Sequence, residues 1–155
     1  ATFAPEKALA QIIKTKGDVA LGEQVFTRAT CVACHTTDQE QAQRGPYLGN
    51  IAQTYKRRDL AESIIDPNKS IAQGFASNVI TDKDGKAVMG FVTDEAGDSV
   101  TVRDIAANEH TFKKADIAKR DTIPTSMMPP GLLNALTVYE AASLLDYLEA
   151  LAKKK

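Results

Sequence analysis

The chain has 155 residues, 43% of them apolar and 25% charged, with a formal charge of −1, a composition that fits one compact globular domain and excludes disorder. No apolar run approaches the length needed to cross a bilayer. The near-neutral charge and the absence of Trp leave neither the basic stripe nor the aromatic platform that nucleic-acid binding uses.

The first helix signal runs from Pro5 to Lys16, where Ala8, Leu9, Ile12 and Ile13 recur at helical spacing and Gly17 supplies a stop. Asp18 is placed to cap a second helix reaching about Thr27, with Gly22 and Phe26 on one face. A short pattern, Ile51 to Tyr55, precedes a helix from Arg58 to Asp66 with Leu60, Ala61, Ile64 and Ile65 as its apolar stripe, ended by Pro67. From Phe75 to Ile123 the apolar residues alternate and turn signals recur, which predicts strands at Phe75 to Thr81, Ala87 to Thr93, Ser99 to Asp104 and Glu109 to Phe112. Asp84-Gly85 suits a tight hairpin, Ala96-Gly97 and Ala107-Asn108 suit later turns, and together they predict an antiparallel meander. The last helix, 137–152, opens on Thr137 and Glu140 at capping-box spacing and buries Val138, Ala141, Leu144, Leu145, Leu148 and Leu151. Lys153, Lys154 and Lys155 complement the negative end of its dipole. The expected organisation is one domain over residues 1–155, mainly α, with an extra N-terminal helix at 1–16 and a small antiparallel insertion at 75–123. The opening Ala1-Thr2-Phe3-Ala4 shows no basic segment leading into an apolar stretch, so an export signal has been removed or never existed, and the chain could equally be cut from a longer polypeptide.

Only two cysteines occur, three positions apart, so a framework joining distant segments by disulfides is impossible. Cys31-Val32-Ala33-Cys34-His35 has the pattern C-x-x-C-H of c-type haem attachment. Two thiols at this spacing reach the two vinyl-derived carbons on one porphyrin edge, and the adjacent imidazole falls below the iron. A structural zinc site would have to use Cys31, Cys34, His35 and His110, with neighbouring Cys34 and His35 on one tetrahedral ion, which is strained. A thioredoxin-like dithiol follows a buried strand, whereas here a helix precedes the motif. For the second axial position, Met89 reads as a core filler, His110 as a solvated residue, and Met127 and Met128 lie ahead of Pro129-Pro130-Gly131 on a loop whose prolines forbid helix. Only one of the two neighbours can point at the iron.

Asp18 to Phe26, Cys31 to His35, Gly45-Pro46-Tyr47-Leu48, Met128-Pro129 and the final helix together resemble bacterial class I cytochromes c. Glu62-Ser63-Ile64-Ile65-Asp66-Pro67, the strand-rich insertion and Ser126-Met127-Met128-Pro129-Pro130-Gly131-Leu132-Leu133 resemble, more narrowly, the haem-binding domain at the C-terminus of large exported planctomycete proteins, often beside sugar dehydrogenase modules. The resemblance covers the chain after about Gly17 and implies a cytochrome c fold with haem c held by Cys31 and Cys34, His35 proximal and Met128 distal, with Met127 the alternative. It further implies that the Pro46 carbonyl accepts from the proximal imidazole, with Gly45 and Leu48 beside it, and that Gly22, Phe26 and Tyr147 sit where the first and last family helices cross. Tyr55, Arg57 and Arg58 are nearest in the pattern to the haem propionates, though each also reads as an exposed helix-start residue.

The function so implied is one-electron transfer between a donor dehydrogenase and an acceptor protein, outside the cytoplasm in a bacterial periplasm, with no enzyme activity of its own. A haem sensor or small-ligand module with a displaceable or absent sixth ligand is the alternative. A peroxidase would need a distal acid-base group, for which His110 is the sole histidine available.

Overall fold

The structure is a computed structural model describing residues 4–41, 45–69, 71 and 75–153. Capping chemistry sets the helix starts. Helix α1 (Pro5–Lys14) opens on proline, whose missing N–H costs nothing there. Helix α2 (Val19–Arg28) is capped by Asp18, whose carboxylate accepts from the Leu21 amide at 2.8 Å. Helix α3 (Arg57–Ile65) is closed at its start by Asp59, which accepts from the Lys56 amide at 3.0 Å. Helix α4 (Val138–Lys153) begins with a reciprocal pair: the Thr137 amide donates to Glu140 and the Glu140 amide to Thr137, each at 3.1 Å. Lys153 closes it, and Lys154 and Lys155 lie outside the described residues.

These helices share one apolar core. Ile12 of α1, Val25 and Phe26 of α2, Leu60 and Ala61 of α3 and Leu144, Leu145 and Leu148 of α4 are buried in it. Helices α2 and α4 cross closest: a Cβ on Gly22 would run into the Ser143 carbonyl, and the Phe26 and Tyr147 rings meet at 5.6 Å with a 58° tilt. The three residues implied for a helix crossing therefore do meet. The link between α1 and α2 is tied to α4 by the Gly17 amide on Asp146 (2.8 Å) and the Asp18 amide on Ser143 (2.9 Å).

The expectation of a mainly α fold does not hold. Helices take 37% and strands 23%, and the sheet has five strands rather than four: β1 (Ser77–Asp82), β2 (Ala87–Ala96), β3 (Ser99–Arg103), β4 (Glu109–Lys113) and β5 (Ile117–Ile123). The fold is mixed, four α-helices with an antiparallel sheet of order β4-β3-β2-β1-β5. Two features hid the extra strand content. Lys119-Arg120-Asp121 interrupts any apolar alternation in β5, and β2 continues past the predicted end at Thr93 through the charged residues Asp94 and Glu95 to Ala96.

Nor is the sheet a simple meander. Strands β1 to β4 follow one another as hairpins, with Gly85, Gly97 and Ala107 at positive φ in their turns. Strand β5 then pairs with β1, at the opposite end of the sheet from β4. The connection is a single 3-10 turn, Lys114–Asp116, which spans about 6 Å. Edges of a flat five-stranded sheet would stand about 19 Å apart. The sheet must therefore be rolled, which explains how Ile80, Val100 and Val102 reach zero exposure in a second core separate from the helical one. Glu95 closes the roll by meeting Arg120 of β5 at 2.9 Å and Lys114 at 3.5 Å.

Candidate functional site

Helix α2 stops at Arg28, and Thr30 then takes φ 65°. A β-branched residue rarely occupies that left-handed region, so the turn is held by its surroundings against local preference. The consequence is an abrupt change of direction into a 3-10 turn, Cys31–Ala33. Positions three apart come round to the same side of such a turn, which is the physical reason for the C-x-x-C spacing, Cys34 being the residue that caps the turn. The Cys31 carbonyl accepts from both the Cys34 amide (3.2 Å) and the His35 amide (2.9 Å), so the two cysteines and the histidine share a single hydrogen-bonded loop.

The imidazole is oriented by its back side. His35 Nδ1 donates to the Pro46 carbonyl at 2.7 Å. A carbonyl can only accept, so the ring proton belongs to Nδ1, and Nε2 keeps its lone pair with no hydrogen-bond partner among the described residues. Burial pulls the His35 pKa below its ordinary value, against the smaller raising effect of the Pro46 hydrogen bond. A neutral imidazole with a free Nε2 is the form that binds a metal. Gly45 makes room for this contact: a Cβ there would lie 3.3 Å from the Cys34 carbonyl and 3.5 Å from the His35 ring. The Leu48 amide donates to the Thr36 carbonyl at 3.0 Å, which lashes the 46–48 segment to the residue after the histidine.

Cys31 and Cys34 are both free thiols, half-buried. Burial pushes the Cys31 thiol up from its usual pKa, against a smaller lowering by its backbone hydrogen bond. Cys31, Leu48 and Met128 all pack against the helical core. Met127 is half-buried as well and is not part of that packing. The methionine segment is fixed upstream by the Met128 amide on Ser126 Oγ (3.1 Å) and by the Ser126 amide on Asn68 Oδ1 (2.6 Å). Downstream it turns at Gly131, φ 85°.

The remaining candidates fall elsewhere. Tyr55 is 38% exposed just before α3, and Arg58 is exposed and paired with Glu62 at 2.9 Å one turn along the helix. Arg57 turns inward, where its guanidinium binds Asp146 (2.6 Å), Glu149 and the carbonyls of Ile13 (2.9 Å) and Thr15 (2.7 Å). It joins α1, α3 and α4, a role not visible in its sequence position. Met89 projects from β2, and His110 of β4 bonds Asp104 at 2.8 Å, so neither joins the cysteines. Sequence reasoning missed Thr30 and Asn68 as shapers of the site; the one local signal was Asn68 directly after the helix-ending Pro67.

A haem c fits these residues. The two thiols are unpaired and share one loop, the imidazole donates from Nδ1 and leaves Nε2 without a hydrogen-bond partner among the described residues, and a thioether-bearing loop borders the same apolar core. Among the described residues no helix is long and apolar enough to cross a membrane. No curated protein matches the chain. The family model described as "Cytochrome c" matches residues 19–96, half of the chain, and spans the cysteines, the histidine and Pro46.

Proposed function

Because the chain belongs to the cytochrome c family, with haem c held covalently through Cys31 and Cys34, we propose that it is a one-electron carrier with His35 and Met128 as axial ligands. When bound, haem c supplies a ferric/ferrous couple. The protein's contribution is rigidity. The observation that carries the reading is the 2.7 Å hydrogen bond from His35 Nδ1 to Pro46, which fixes ring orientation and tautomer and raises ligand basicity. With His35 held by Pro46 and Met128 by Ser126, the side chains that would ligate the iron would have little need to move on electron transfer. Met128 is favoured over Met127 by its packing on the core that Cys31 borders and by its anchored amide. A thioether at the sixth position raises the potential relative to a second imidazole. Tyr55 and Arg58, both exposed beside the start of α3, are the residues we propose for the haem propionates, Arg58 in place of its ion pair with Glu62.

The partners that fit are a donor dehydrogenase and an acceptor protein. Cytochrome c domains are usually exported, and the compartment we place this chain in is a bacterial periplasm. The resemblance to C-terminal domains of large exported planctomycete proteins makes a dehydrogenase in the same polypeptide the natural donor.

The test uses haem-loaded protein from a host competent in cytochrome maturation. Met128→Ala should abolish the weak sulfur-to-iron absorption band and let the ferrous protein bind carbon monoxide. Met127→Ala should leave both as in the wild type. Immediate carbon monoxide binding by the unaltered protein would overturn the carrier reading in favour of a haem sensor with an open or displaceable position.

A further inference from the structure

We infer that Asn68 and Ser126 form a clasp that positions the sixth ligand, with Asn68 the positioning residue; this rests on the reading of Met128 as that ligand. Between the end of α3 and the methionine loop the chain leaves the helical body for the whole rolled sheet and returns 58 residues later. Closing so long an excursion costs entropy, and the returning strand can be placed only by contacts at its neck. Two hydrogen bonds in series make that contact. Asn68 Oδ1, one residue beyond buried Pro67, accepts from the Ser126 amide at 2.6 Å, and Ser126 Oγ accepts from the Met128 amide at 3.1 Å.

Besides the packing of Met128 on the helical core, the segment has few other ties among the described residues. Pro129 and Pro130 carry no amide hydrogen, so the Met128 amide is the last backbone donor before Gly131. The prolines stiffen the chain after the methionine without attaching it to anything. Upstream, β5 ends at Ile123, paired with Ser77, three residues before Ser126. Movement of the sheet therefore reaches the methionine unless the clasp absorbs it. An asparagine suits the task because its short side chain offers a neutral acceptor to a backbone amide at the end of a helix.

The experiment uses the haem-loaded protein and a set of variants at the clasp, with Met128→Ala as the reference for a lost ligand. Asn68→Ala and Ser126→Ala should each weaken the sulfur-to-iron band and speed carbon monoxide binding to the ferrous form by about three- to tenfold, the range set by one hydrogen bond. Asn68→Asp keeps the acceptor oxygen and should retain wild-type behaviour, whereas Asn68→Leu, which fills the space without an acceptor, should behave as Asn68→Ala does; a merely space-filling role predicts wild-type behaviour for both. The double variant Asn68→Ala/Ser126→Ala should go no further than either single one, because bonds in series fail together. If Met128→Ala abolishes the band while Ser126→Ala and Asn68→Ala leave band and gas binding unchanged, the clasp is overturned and the ligand stands. If Met128→Ala leaves the band intact, the ligand assignment has failed and the clasp with it. Should Asn68→Ala not fold, the Ser126→Ala result decides alone.

Discussion

The helical body and the rolled sheet each bury an apolar core, yet they use polar side chains in opposite ways. In the helical body the polar ties that join one helix to another are long-range: Gly17 and Asp18 to α4, and Arg57 to α1 and α4 at once. In the sheet they run mostly between neighbours, as in Thr101 with Thr111 (3.1 Å) and Arg103 with Glu109 (2.8 Å), Glu95 being the one that reaches across. Cysteines, histidine and Pro46 all stand on or beside the helices, where non-local ties hold geometry, while the sheet carries its own core and meets the site at the methionine neck. A covalently anchored group needs a frame that does not shift, and long-range ties supply it.

If the two cores are separate, damage to one should stay there. Leu145→Ala removes a side chain 1% exposed in the helical core, and Ile80→Ala one with zero exposure in the sheet; each should cost about 2–5 kcal/mol. Amide exchange measured by NMR should quicken in α2 and α4 for the first variant and in β1 and β2 for the second. Loss of protection across the whole chain in either would show one cooperative unit and break the comparison. Next in size is Arg57→Met, which strands Asp146, 16% exposed in its side chain, together with the Ile13 and Thr15 carbonyls. Leaving a largely buried partner uncompensated should cost about 3 kcal/mol, seen as a lower thermal midpoint with α1 amides exposed first and those of the sheet unaltered. Asp18→Ala removes only the α2 cap and should cost about 1 kcal/mol, with exchange rising at the Leu21 amide.

What could be read directly was what the chain encodes locally. C-x-x-C-H is legible because one hydrogen-bonded loop from Cys31 to His35 contains both cysteines and the histidine, and α4 is legible because Thr137 and Glu140 cap each other within a turn. Strand β5 is not legible because Lys119, Arg120 and Asp121 put charge on both of its faces and erase the alternation that marks a half-buried strand. The roll of the sheet follows from the pairing of Ser77 with Ile123, and no local pattern announces a partner 46 residues away. Arg57 reads as an exposed helix start until α4 arrives with Asp146, and Asn68 as a helix-end residue until Ser126 returns to it. Non-local partners decide those roles.

The smallest expected effect is also the one that separates the two regions by pH. Two carboxylates of the sheet are held below the ordinary range: Asp104 first by its hydrogen bond from His110, with the Asn108 and Ala106 amides adding to it, and Glu95 first by Arg120, then by Lys114. A carboxylate with a depressed native pKa binds fewer protons folded than unfolded in acid. Its contribution is complete above the unfolded value and fades as pH falls through the native one. The sheet should therefore begin to lose stability below about pH 4.5 through Glu95 and below about pH 3.8 through Asp104, the ordinary values for those groups. Glu95 is exposed and Asp104 partly so, and the loss should therefore be small and smaller still in high salt. Amides of β2, β3 and β4 should lose exchange protection at a higher pH than those of α2 and α4, and Asp104→Asn should flatten the response in the β3–β4 hairpin. Helices opening first on acidification would mean that the sheet's carboxylates do not govern it and that the two regions share one acid transition.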